Sequence, residues 1–200
     1  MPPEIQVFED FYPVSKEEAY FVGGPQFVKL IRLCKANWSE TPEGVVHVSN
    51  VEIVKRGTYL RLGNFYNGEL IYSEKGIGVV GSDITSKTAH QPFKTDHGLY
   101  YTDDSPNARI YKDGELFLDH WDGYKEIGNP FIDGDLMYFE GREDHKPAPK
   151  GWEIWTFNLR TGEKKKILQQ AANPYVFEGK MYYTDFSQWR KRVLTRSYKV

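Results

Sequence analysis

The chain has 200 residues, a formal net charge of −2, 27% charged residues, and 14 Tyr, 12 Phe and 5 Trp. The length suits one domain or two small ones, and this aromatic share with so little net charge excludes intrinsic disorder. No run of 18 apolar residues is present, which excludes a helical membrane span, and the single cysteine, Cys34, excludes an internal disulfide framework.

Met1-Pro2-Pro3-Glu4-Ile5-Gln6 has neither the basic nor the apolar region of a secretory leader. The expected location is therefore the cytoplasm or a virion, unless a leader has been removed. Further on, Phe27, Leu30, Ile31 and Cys34 fall at helical spacing, with Ser15 and Glu18 placed as a capping box. The same stretch also reads as two short strands broken at Gly23-Gly24-Pro25, and the repeats downstream favour strands.

Four segments then share a pattern of polar-Gly turn, strand with tyrosine, and terminal acid. They begin at Asn67-Gly68, His97-Gly98, Asp133-Gly134 and Glu178-Gly179, and end on Glu74, Asp103, Glu140 and Asp185. A degenerate fifth copy spans Glu18-Ala19-Tyr20-Phe21-Val22-Gly23. The four glycines are 30, 36 and 45 residues apart, the unequal period of a repeat with loop insertions. Gln91-Pro92-Phe93, Asn129-Pro130-Phe131 and Asn173-Pro174-Tyr175 lead into the later turns, with proline where a strand starts. Trp152 to Leu159 alternates with period two, and Lys164 to Leu168 follows after a turn. Gly141 to Gly151 is poor in apolar residues and is expected to be an exposed loop. Together these elements predict one all-β domain over residues 1–200, a β-propeller of about five blades. Each blade has three to four antiparallel strands, and the two termini pair to close the ring.

Leu99-Tyr100-Tyr101-Thr102-Asp103 and Met181-Tyr182-Tyr183-Thr184-Asp185 resemble a YWTD-type propeller repeat, with tyrosine in place of its tryptophan. The segment from Asn129 to Thr161 is similar to a TolB-like blade. The resemblance covers roughly residues 64–200. It implies a propeller, and among five-bladed propellers it implies lectins and glycoside hydrolases as functional analogues.

If the units are blades, Glu74, Asp103, Glu140 and Asp185 are expected on one level of a ring. An acid at a strand end fixes a turn by accepting backbone hydrogen bonds, and this role is expected first. The alternative is a carboxylate ring suited to a cation, to sugar hydroxyls, or to paired-acid glycoside hydrolysis. A second cluster, Asp119-His120-Trp121-Asp122, combines an aromatic platform with hydrogen-bonding groups, and Arg142 and Trp152 flank the long loop. These six are the expected ligand-binding residues, for a glycan or otherwise a protein partner. No cofactor is expected beyond a structural divalent cation. From residue 180 to 200 six basic residues stand against Asp185 alone, with Trp189 and Tyr198 interleaved, which keeps a nucleic-acid partner open. Phosphate-binding loops, nucleophile elbows and zinc-protease motifs are all absent from the sequence. The expected function is a non-catalytic binding module, with glycoside hydrolase as the alternative.

Overall fold

A computed structural model describes residues 7–24, 30–74, 77–80, 83–86, 89–103, 105–147, 150–187 and 194–199. Among these, all regular structure is β. The first sheet contains β1 (Val7–Pro13), β2 (Glu18–Gly24), β3 (Leu30–Glu40) and β4 (Val46–Thr58). The second contains β5 (Arg61–Tyr66), β6 (Glu69–Glu74), β7 (Ile77–Val80) and β8 (Asp83–Ser86). The third contains β9 (His90–Thr95), β10 (Gly98–Thr102), β11 (Ile110–Lys112) and β12 (Glu115–Leu118). The fourth contains β13 (Tyr124–Asp133), β14 (Leu136–Glu143), β15 (Trp152–Asn158) and β16 (Lys164–Gln169). The fifth contains β17 (Ala171–Phe177), β18 (Lys180–Asp185) and β19 (Leu194–Lys199).

Every sheet is an antiparallel meander in chain order, so each connection is short and local. At Asn67-Gly68 and Glu178-Gly179 both turn residues have positive φ, the conformation a two-residue hairpin needs to match strand twist. The five repeats read from the sequence are the second strands β2, β6, β10, β14 and β18, the fifth copy at residues 18–23 included.

The first strands touch in sequence: β1 lies against β5, β5 against β9, β9 against β13, β13 against β17, and β17 against β1. All five carry the same irregularity, two residues facing one on the second strand. The paired residues are Asp10-Phe11, Gly63-Asn64, Gln91-Pro92, Asn129-Pro130 and Asn173-Pro174. Asp10, Gln91, Asn129 and Asn173 take φ between 47° and 53°, a region that Asp and Asn enter at least cost among side-chain-bearing residues. A bulge leaves one residue outside the ladder, so proline is tolerated there.

Directly after each bulge stands an aromatic residue: Tyr12, Phe65, Phe93, Phe131 and Tyr175. These five rings pack on one another, with Phe131 4.8 Å from Phe93, 5.6 Å from Tyr175 and 6.2 Å from Tyr12. Tyr12 is also 5.5 Å from Tyr175 and 6.2 Å from Phe65. One ring from every sheet thus joins a shared aromatic core, each pair adding ~0.5–1.5 kcal/mol beyond the area it buries.

Two expectations are revised here, and a third falls partly outside the described residues. The helical option for residues 27–34 gives way to β2 and β3, whose connection at 25–29 lies outside the described residues. The expected loop from Gly141 starts later, because β14 runs through Glu143 in register with β15, and Gly151 is buried against the Lys146 backbone. The pairing between chain ends is not among the described ladders. Residues 4–6 lie outside the described residues, β1 pairs with β2, and β19 pairs with β18. No helix among the described residues is long and apolar enough to cross a membrane.

Candidate functional site

The bulges place polar side chains where the first strands converge, and these side chains tie each sheet to the next. Asp10 Oδ2 of the first sheet accepts the Leu62 N–H of the second at 3.1 Å. Asn64 bonds both backbone groups of Lys94 in the third sheet, accepting at 2.9 Å and donating at 2.8 Å. Gln91 Oε1 accepts the Asn129 N–H of the fourth at 2.8 Å, and Glu140 Oε2 accepts the Asn173 N–H of the fifth at 3.0 Å. The Tyr175 hydroxyl of the fifth sheet donates to the Leu62 carbonyl at 2.9 Å. Further bonds cross-link the set: Asn129 Nδ2 to Asn173 Oδ1 at 3.0 Å, and Asn173 Nδ2 to Thr184 Oγ1 at 3.0 Å. Arg61 donates to the same Asn173 oxygen at 2.9 Å and pairs with Asp10 at 3.1 Å.

Above this polar layer lies a cavity of about 310 Å³. Arg61, Gln91, Thr102, Gly128 and Glu140 line it, together with His90, Asp103, Ser105, Ala108, Glu126, Ile127 and Trp152. Gly128 allows the close approach, since a Cβ there would sit 3.0 Å from Thr102 Oγ1 and 3.1 Å from Gln91 Oε1. Arg142 organises one wall. Its Nε is 2.8 Å from Glu126 Oε1, and its guanidinium lies over the Trp152 ring at 5.6 Å.

Two of the lining carboxyls are held above the usual carboxylate range. Burial raises Glu126, opposed by the Arg142 charge. Burial also raises Glu140, which is 6% exposed, opposed by Arg61 and by the hydrogen bonds it accepts. A carboxyl raised on folding stabilises fully below its unfolded value of about 4.3 and loses that contribution as pH rises through the folded value. Glu140→Gln keeps an acceptor for the Asn173 N–H and removes the titration. The melting temperature of the wild-type protein is therefore expected to fall, relative to that of Glu140→Gln, as pH is raised from 4 towards 7. Thermal melts of both proteins across that range check it, and parallel curves would refute it.

The four acids of the repeat do not share a level. Glu140 pairs with Gly128, and the matching residues are Thr184 opposite Ala172 and Thr102 opposite His90. In the third and fifth sheets Tyr100 and Tyr182, not Tyr101 and Tyr183, correspond to Tyr138, and a one-residue offset moves a side chain to the other face. Glu140 and Asp103 line the cavity. Asp103 also fixes its turn by accepting the Arg109 N–H at 2.8 Å. Asp185 accepts the Ser187 N–H at 2.8 Å, and Glu74 is 3.3 Å from Lys55 of the first sheet; neither lines the cavity.

The six expected ligand residues separate in the same way. Trp152 lines the cavity and Arg142 supports it, whereas Asp119, His120, Trp121 and Asp122 lie in the β12–β13 connection. Trp121 packs against Tyr124, Trp155 and Phe139 at centroid distances of 4.6, 4.9 and 6.1 Å, with Lys164 Nζ 4.7 Å above it. Asp119 pairs with Arg109 at 2.7 Å, which holds its carboxyl below the usual range, and lies 2.8 Å from His120 Nδ1. Asp122 is exposed. Of the basic C-terminal residues, Lys180 pairs with Glu40 at 2.9 Å, while Arg190, Lys191 and Arg192 lie, with Trp189, outside the described residues. Among the described residues no group of three or more His, Cys, Asp or Glu side chains is arranged to hold a metal.

Arg61, His90, Ser105 and Glu126 are cavity residues that the repeat pattern did not single out. Gln91 and Asn129 were visible before proline, but only as strand starts. No protein-family model matches this chain, and no curated protein matches it.

Proposed function

We propose that the chain is a five-bladed β-propeller whose cavity between the second, third and fourth sheets binds a carbohydrate without chemical turnover. Five meander sheets, the cyclic contact of their first strands and the resemblance to YWTD-type and TolB-like repeats support the propeller. The cavity is the observation that carries the ligand class. At about 310 Å³ it lies at the small end of the ~300–1,000 Å³ range of small-molecule sites. It combines one indole with carboxylate, guanidinium, imidazole, amide and hydroxyl groups. A sugar ring offers an apolar face to the indole and a rim of hydroxyls to such groups.

A glycan array, run with and without divalent cation, tests the proposal. A sugar hit should weaken about tenfold or more in Trp152→Ala, the equivalent of ~1.4 kcal/mol, with an unchanged melting temperature. A blank array would turn the assignment to a protein partner. The hydrolase reading is favoured by one observation, the two carboxyls Glu126 and Glu140 raised by burial on the same cavity, as a general acid at neutral pH requires. Incubation with the bound sugar separates the two. Product formation abolished in Glu140→Gln establishes hydrolysis, and intact sugar establishes binding alone.

A further inference from the structure

We propose that the cavity selects an amine-bearing sugar, a hexosamine with a free ammonium group, over its neutral counterpart. This rests on the carbohydrate reading above and deepens it. The observation is an imbalance of charge around an otherwise built site. Arg61 is paired with Asp10, and Arg142 is paired with Glu126. Arg109, the cation nearest in sequence to Asp103, turns its guanidinium to Asp119. Arg61 thus answers Asp10 and Glu140 together, and Asp103 faces the cavity with no ion-pair partner among the described residues. Ser105 Oγ, enclosed in the same wall, has no hydrogen-bond partner among the described residues.

An ammonium group entering this cavity answers two carboxylates and donates up to three hydrogen bonds. A neutral acetamido group leaves Asp103 uncompensated and Glu140 to share Arg61 with Asp10. Because burial raises Glu126 and Glu140, an ammonium would also draw protons from them.

The test is calorimetric titration of the full chain at pH 6, where the sugar amines are protonated, with three probes: the glucosamine disaccharide, its di-N-acetyl counterpart, and spermidine. The expected result is that the free-amine disaccharide binds at least tenfold more tightly than the acetylated one. Asp103→Asn keeps the acceptor for the Arg109 N–H and removes the charge. It should erase most of that preference. Equal binding of the two disaccharides, or tighter binding of the acetylated one, overturns the inference and leaves the carbohydrate reading standing. Binding of spermidine alone supports the cation preference and overturns the carbohydrate reading. No binding by any probe at millimolar concentration overturns both.

Discussion

Arg61→Met is expected to destabilise the protein by about 3–5 kcal/mol, because it removes the cation from a buried site that holds two carboxylates. Asp10 is 1% exposed, pairs directly with Arg61 at 3.1 Å and accepts the Leu62 N–H. Glu140, 6% exposed, is held down chiefly by the Arg61 charge. Methionine preserves the apolar stem but removes the Arg61 charge from both carboxyls and the Arg61 donor from Asn173 Oδ1. For a chain of this size, each kcal/mol moves the melting temperature by ~2–4 °C, so a fall on the order of 10 °C is expected.

The pH dependence fixes the cause. Without Arg61 the folded-state pKa of Glu140 rises further, so its stabilising protonation is lost over a wider span as pH increases. The deficit of Arg61→Met is therefore expected to be small near pH 4.5 and to grow towards pH 7.5. Asp10→Asn retains an acceptor for Leu62 and deletes one orphaned charge, so the double variant should recover a large part of the loss. A deficit below about 1 kcal/mol, or strictly additive effects in the cycle, would show that the three charges are not coupled.

The architecture was legible where the chain repeats itself in residue types that have one local meaning. The Gly turns and tyrosine strands located all five second strands, including the degenerate copy at 18–23. Asn-Pro-aromatic and Gln-Pro-aromatic marked three of the five bulges. The other two, Asp10-Phe11-Tyr12 and Gly63-Asn64-Phe65, lack the proline, and only register shows them to be equivalent. The site was less legible for the same reason. Adjacent tyrosines at 100–101 and 182–183 made the repeat alignable in two registers, and the offset register set four acids on one false level. Arg61 and Glu126 come from different sheets and carry no local signature, since only tertiary convergence brings them to one cavity. Trp121 and Trp152 look alike in sequence. Tyr124, Phe139 and Trp155 surround the first and not the second.

Gly63→Ala is expected to destabilise the fold severely. Gly63 stands at the bulge position that Asp10, Gln91, Asn129 and Asn173 occupy in the other sheets, yet it alone has no side chain. A Cβ there would collide with the Pro92 carbonyl oxygen of the third sheet and come within 2.9 Å of the Ile71 carbonyl oxygen. Both obstacles are backbone atoms held in strands, so relief requires β5 to move away from β9. That movement would strain the paired Asn64 bonds to Lys94 and the Asp10 bond to Leu62 on the same strand. A loss above ~4 kcal/mol is the expected scale, a large part of the ~5–15 kcal/mol available to a folded domain. Gly68→Ala is the control. Gly68 has φ +81° with nothing within 4 Å of the added carbon, so it should cost only the ~1–2 kcal/mol of a left-handed residue. Denaturant unfolding of both variants decides the matter. Equal, small losses would mean that the second and third sheets are not locked against each other at Gly63.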